Sequence, residues 1–181
     1  MTTADWIAHG RSSFSQRAWA AAFTQLSTAD REASLEPSDV ERLAVAAYLI
    51  GNDDACADAW GRAHHAWLCL GDVARAVRCA YWLAVGHFNR GELARGSGWL
   101  TRAQRLLDED GHDCVEQGYL LLPVARQQLA VGDYAAAYTT AGQAATIAER
   151  FGDADLLTLS RLARPHAPIP RRDRGGRRIA G

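Results

Sequence analysis

His65 and Cys69 stand four residues apart, the spacing that brings two metal-ligating side chains onto one face of a helix. Two ligands do not complete a zinc site. His64 adds no third, because adjacent helical residues point about 100° apart and the His64-His65 pair cannot grip one ion together. Clustered carboxylates, the usual equipment of acid–base catalysis, occur at Asp53-Asp54 and Asp108-Glu109-Asp110. Both clusters fall in polar stretches at helix ends, where acids favour the dipole of the following helix and stay solvated. Gly91-Glu92-Leu93-Ala94-Arg95-Gly96 lacks the Lys and Ser/Thr that a phosphate loop needs, and no Gly-x-Ser-x-Gly elbow occurs. Cys56, Cys69, Cys79 and Cys114 form no C-x-x-C pair and are expected as reduced thiols within helices. The chain is therefore expected not to be an enzyme, and no cofactor or metal is implied.

The elements that would position these side chains come in repeats. Trp6, Gly10 and Phe14 share one helical face, as do Trp19, Ala22, Leu26 and Ala29 on a second helix. Leu43, Ala47 and Ile50 pair in the same way with Ala59, Ala63 and Ala66. A third pair carries Ala80, Leu83, Ala84 and His87, turns at Gly91-Glu92-Leu93, and continues with Gly96, Trp99, Leu100 and Ala103. A fourth carries Leu121, Ala125 and Leu129, turns at Gly132-Asp133-Tyr134, and continues with Ala137, Ala141, Ala144 and Ala148. The equivalent small residues Ala22, Ala59, Gly96 and Ala137 are separated by 37, 37 and 41 positions. Two helices per period of that length predict an α-solenoid whose hairpins bury their apolar faces by stacking. Ser38 with Glu41 suggests a capping box, and Pro123 inside an apolar run predicts a kinked helix. Residues from Asp153 through Leu156, Leu159, Leu162 and Ala163 predict an orphan fifth first helix. The fold class expected is all-α: about four helical hairpins over 4–164, the orphan helix, and a disordered Pro/Arg/Gly-rich tail over 165–181.

The small-residue positions, the aromatics Trp19 and Tyr134 opening second helices, and the Gly-Asp or Gly-Glu turns resemble the tetratricopeptide repeat over roughly 4–164. The run from Gly91 to Leu100, followed by Ala103 to Leu107, is similar to divergent repeats of large actinobacterial regulators of the LuxR type. Nothing in the sequence matches the DNA-binding module of those regulators. The resemblance implies a right-handed superhelix that binds a peptide or partner helix in a concave groove lined by first helices. Arg11, Tyr48, Arg78, Tyr81, Asn89 and Arg126 are the groove candidates. They do not reproduce the Lys and Asn clamp by which some such repeats hold a terminal carboxylate. The alternatives are a truncated sensory part of a LuxR-type regulator without its DNA-binding domain and a small-ligand sensor.

Charge sorts the partners. Up to Arg164 there are 15 arginines against 20 acids, and beyond it 5 arginines against Asp173 alone; all 20 basic residues are Arg. The acidic helical part is not expected to bind nucleic acid. The absence of a long apolar run or a signal-like start leads to the expectation of a cytoplasmic chain without membrane contact. For the basic tail three readings stand: a phosphate-attracting arm, an inert terminus, or a disrupted reading frame, the last motivated by the abrupt break after Arg164. An unfinished C-terminal hairpin adds the expectation of a homodimer through that edge.

The six tryptophans, Trp6, Trp19, Trp60, Trp67, Trp82 and Trp99, are expected as core knobs between hairpins, with one or two as peptide anchors in the groove.

Overall fold

A computed structural model of the chain describes residues 2–164. Nine α-helices make up the described residues: α1 (Thr3–Ser15), α2 (Trp19–Glu32), α3 (Pro37–Leu49), α4 (Asp53–Cys69), α5 (Val73–Asn89), α6 (Leu93–Asp110), α7 (Glu116–Ala130), α8 (Tyr134–Phe151) and α9 (Ala154–Ala163). Each odd-numbered helix up to α7 packs against the even-numbered helix after it, giving consecutive antiparallel pairs. Each even-numbered helix also packs against the next odd one, and α1·α3, α5·α7 and α7·α9 touch directly. The chain is thus an all-α array of helical hairpins, as the periodicity predicts. No described helix is long and apolar enough to cross a membrane.

A two-residue device repeats at the helix junctions. A glycine with φ between +68 and +85°, such as Gly71 (φ 76) or Gly132 (φ 85), ends one helix in the left-handed region that a side chain disfavours. The next residue caps the following helix: Asn52 accepts from Ala55 N, Asp72 from Arg75 N, Asp133 from Ala136 N and Asp153 from Leu156 N. Glu92, one methylene longer, makes no such cap for α6. At the first turn, Arg17 takes the positive φ (59°) that glycine takes elsewhere.

The buried residues form two clusters that meet on α5. One joins Leu26, Leu43 and Trp60 to Cys79 and Leu83; the other joins Val77 and Tyr81 to Leu107, Tyr119 and Leu156. Trp82 and Trp99 pack against both. The equivalent small positions Ala22, Ala59, Gly96 and Ala137 are all buried. Their function is close approach: a Cβ on Gly10 would stand 2.7 Å from Leu26 Cδ2, and one on Gly96 2.5 Å from Phe88 Cε1. Of the tryptophans only Trp60 falls below a tenth exposed, and the other five are partly buried against neighbours.

Local details differ from the sequence reading. The Ser38/Glu41 capping box does not form, because Pro37 starts α3 with Glu36 as its cap residue and Glu41 turns to other partners. The reciprocal box occurs instead at Thr2 and Asp5. Helix α7 runs through Pro123 without losing the repeat. On α9, Leu156 and Ser160 are fully buried whereas Leu162 is 75% exposed, so the packed face is rotated from the Leu156, Leu159, Leu162 series. The readings of the tail over 165–181 lie outside the described residues.

Candidate functional site

The odd-numbered helices carry most of the sequence candidates, and the structure engages two of them inside the fold. Arg11 on α1 donates from Nε to Asp39 Oδ1 on α3 at 2.9 Å. Asp39 is fully buried and also receives Arg42 Nη1 at 2.8 Å. Burial pushes the Asp39 carboxyl up, but the hydrogen bond and charge of Arg11 and the charge of Arg42 outweigh it and hold the group below its ordinary range. One hairpin on, Arg75 of α5 donates to Glu41 Oε2 of α3 at 2.8 Å, and Trp67 Nε1 donates to Oε1 of the same carboxylate at 2.6 Å. Next, Arg78 Nη2 meets Glu116 of α7 at 2.9 Å and Asp153, the cap of α9, at 3.1 Å. Tyr119 Oη of α7 donates to Asp153 Oδ1 at 3.1 Å, and the Arg78 guanidinium lies 4.1 Å from the Tyr119 ring centroid. A polar seam therefore runs along the odd-numbered helices.

Tyr81 corrects the expectation of a groove residue. It is 4% exposed, edge-on to Trp82 at 5.0 Å and to Tyr119 at 5.2 Å, because α7 covers a flank of α5 that a lone hairpin would leave open. Burial pushes its hydroxyl up to about 12. Tyr48, Asn89 and Arg126 are exposed, and Tyr48 borders only a void of about 10 Å³ beside Trp60 and Trp82. The six candidates do not converge on one pocket.

Open clefts lie instead between the even-numbered helices. One, about 650 Å³, is lined by Ala57, Asp58, Gly61, Arg62 and His65 of α4, Leu83 and His87 of α5, and Trp99 of α6. Through His87 and Trp99 it continues into a space of about 480 Å³ beside Arg95, Gly98 and Arg102. Through Asp58 and Arg62 it adjoins a cleft of about 410 Å³ between α2 and α4, lined by Phe23, Thr24 and Asp30. The three clefts form a trough in series, and the Arg62–Asp30 ion pair joins α4 to α2 where two of them meet.

No protein-family model matches the chain, and no curated protein matches it.

Trp99 offers a half-buried indole, held edge-on against His64 at 5.2 Å. His64 is 2% exposed, its Nδ1 lies 2.8 Å from the Ala76 carbonyl of α5, and burial pushes its pKa below the ordinary value. Arg102 lies 5.7 Å from the Trp99 ring centroid and, among the described residues, meets no carboxylate. Arg62 is engaged by Asp30 and Asp58, and His87 by Glu92 at 2.6 Å. Among the described residues no group of three His, Cys, Asp or Glu side chains gathers to hold a metal. His65 Nε2 and Cys69 Sγ do share a face, 3.7 Å apart. Burial pushes the Cys56 thiol up to about 11 and the Cys79 thiol higher still, so both are poor nucleophiles at neutral pH.

The sequence reading lines the expected groove with first helices, considers His65 only as a metal ligand with Cys69, and so leaves out Arg95 and Arg102. One signal was present: Gly61 and Gly98 sit inside helices, where glycine costs about 1 kcal/mol against alanine. A Cβ at either would meet nothing within 4 Å, so close packing does not demand these glycines. Both line the trough.

Proposed function

We propose that this chain is a non-catalytic interaction module of tetratricopeptide type that holds a peptide or a partner helix. The observation that carries the reading is the trough, whose clefts share Asp58 and Arg62 at one junction and His87 and Trp99 at the other. A row of open clefts that share lining residues suits an elongated ligand, whose side chains enter successive pockets, better than a compact metabolite, which favours enclosure. The hairpin array and the buried small-residue positions support the family assignment. The partner is the one expected from sequence, but its contact moves from the six candidates on odd-numbered helices to the clefts lined chiefly by α4 and α6.

A displayed library of random peptides, selected on the full chain, tests this. The expected result is enrichment of peptides that bind and slow amide exchange in α4 and α6. A library that yields no binder, beside a metabolite screen in which a small molecule raises the melting temperature, would replace the module with a ligand sensor.

A further inference from the structure

The last two turns of α4 carry a pair of donors that the peptide reading does not use. His65 Nε2 and Cys69 Sγ lie 3.7 Å apart on successive turns, and both residues are exposed. We propose that this pair binds a soft monovalent cation of the copper(I) class. Burial pushes the thiols of Cys56, Cys79 and Cys114 up and favours their protonated form, whereas Cys69 is the exposed thiol of the four.

Three features select the ion. The donors are a sulfur and an imidazole nitrogen, which prefer soft and borderline metals to calcium or magnesium. The spacing suits chelation, because a metal about 2.3 Å from sulfur and about 2.0 Å from nitrogen holds the two atoms about 3.5 Å apart at a tetrahedral angle and about 4.3 Å apart in line. Ligand number decides the rest. Among the described residues no group of three His, Cys, Asp or Glu side chains gathers, so a tetrahedral ion such as zinc would have to fill its other positions with water. A closed-shell monovalent ion is satisfied by two ligands in line, and this pair supplies two. The place favours a cation as well: Cys69 is the last residue of α4, where the free carbonyls form the negative pole of the helix. On binding, Cys69 gives its thiol proton to water as the sulfur–metal bond forms, and neutral His65, with its proton on Nδ1, offers the Nε2 lone pair. The thiolate cancels the single charge of the ion.

The test is anaerobic titration of the full chain against copper(I) held by a chromophoric chelator, whose colour reports the metal that the protein withdraws. One ion per chain is expected, bound about a hundredfold or more tighter than zinc(II) in an equivalent competition. Cys69→Ser should abolish binding. His65→Ala should weaken it about tenfold or more, since losing even a residue that only orients a ligand costs that much. Circular dichroism melts, expected to be unchanged at these exposed positions, are the folding control. No withdrawal of copper(I), binding that persists in Cys69→Ser, a His65→Ala chain that holds copper(I) as tightly as the native one, zinc(II) bound as tightly as copper(I), or one ion shared by two chains each overturns the inference. The peptide trough stands or falls separately, on the library selection.

Discussion

Along the odd-numbered helices every neighbouring pair is joined by a bond to a carboxylate: Arg11–Asp39, Arg75–Glu41, Arg78–Glu116 and Tyr119–Asp153. Along the even-numbered helices, among the described residues, Arg62–Asp30 is the one ion pair that spans neighbours, and the space between α4 and α6 stays open. The same residue type serves opposite ends on the two faces. Arg11, Arg75 and Arg78 on the odd face complete the fold, because each meets a carboxylate on a neighbouring hairpin, whereas Arg126 on α7 is exposed and, among the described residues, meets none. On the even face Arg102 has no such acid and lies beside an indole. The ion pairs on the odd face are spent within the fold, which is why the proposed contact lies on the even face.

The sharpest way to break this comparison is to remove one arginine from each face. Arg78→Leu strands Glu116, 5% exposed, and Asp153 beside it, and an uncompensated buried charge costs about 3 to 5 kcal/mol. Arg102→Leu takes away an exposed side chain with no ionic partner among the described residues, and such surface changes stay within about 0.5 kcal/mol. Urea unfolding of both variants measures the difference. Equal losses would mean that the even face is as closed as the odd one.

The next contrast is between glycines. Gly10→Ala on α1 puts a methyl 2.7 Å from Leu26 on α2, where the backbone of α2 is also near at 3.4 Å. Overpacking of that kind costs about 1 to 3 kcal/mol. Gly61→Ala in the trough meets nothing within 4 Å and should gain about 0.5 to 1 kcal/mol from helix propensity. Opposite signs in the two melting temperatures are expected, and a loss at Gly61 would show that the trough wall is packed.

The array was legible in the sequence because its determinants are local. The Gly-Asn and Gly-Asp junctions stop one helix and cap the next within four residues, and the small positions Ala22, Ala59, Gly96 and Ala137 recur at near-constant spacing. The site was not legible, because whether an arginine is free depends on an acid far away in the chain. Arg11 meets Asp39 at a separation of 28 residues and Arg78 meets Glu116 at 38. The second separation is close to one repeat, so a search for arginines with an acid one period downstream would have removed Arg78 from the candidates, whereas the first falls nine residues short of a period. Tyr81 escaped for a related reason: its burial comes from Tyr119 on the next hairpin, not from the helix that carries it.

The smallest expected effect concerns acid. His64 joins α4 to α5 through the Ala76 carbonyl and supports Trp99 on α6, so it stands at the base of the trough. Its folded pKa lies below the ordinary 6.5, chiefly through burial, with the charge of Arg102 and neighbouring His65 acting in the same direction. The unfolded chain therefore takes up a proton first as pH falls through 6.5, and stability drops from there until the folded histidine protonates as well. Asp39 behaves differently: with its folded pKa below 3.8, its contribution persists until pH falls under that value. As pH falls below 6.5 but stays above 3.8, the trough side should loosen while the Arg11–Asp39 joint holds. Amide exchange in α4 and α6 ought to quicken in that range ahead of α1 and α3, with a fall in melting temperature. His64→Asn keeps a side-chain donor near the Ala76 carbonyl but cannot titrate, so it should flatten this part of the pH profile. A profile unchanged by that substitution, or α1 and α3 yielding first, would place the weaker joint on the odd-numbered face and reverse the comparison.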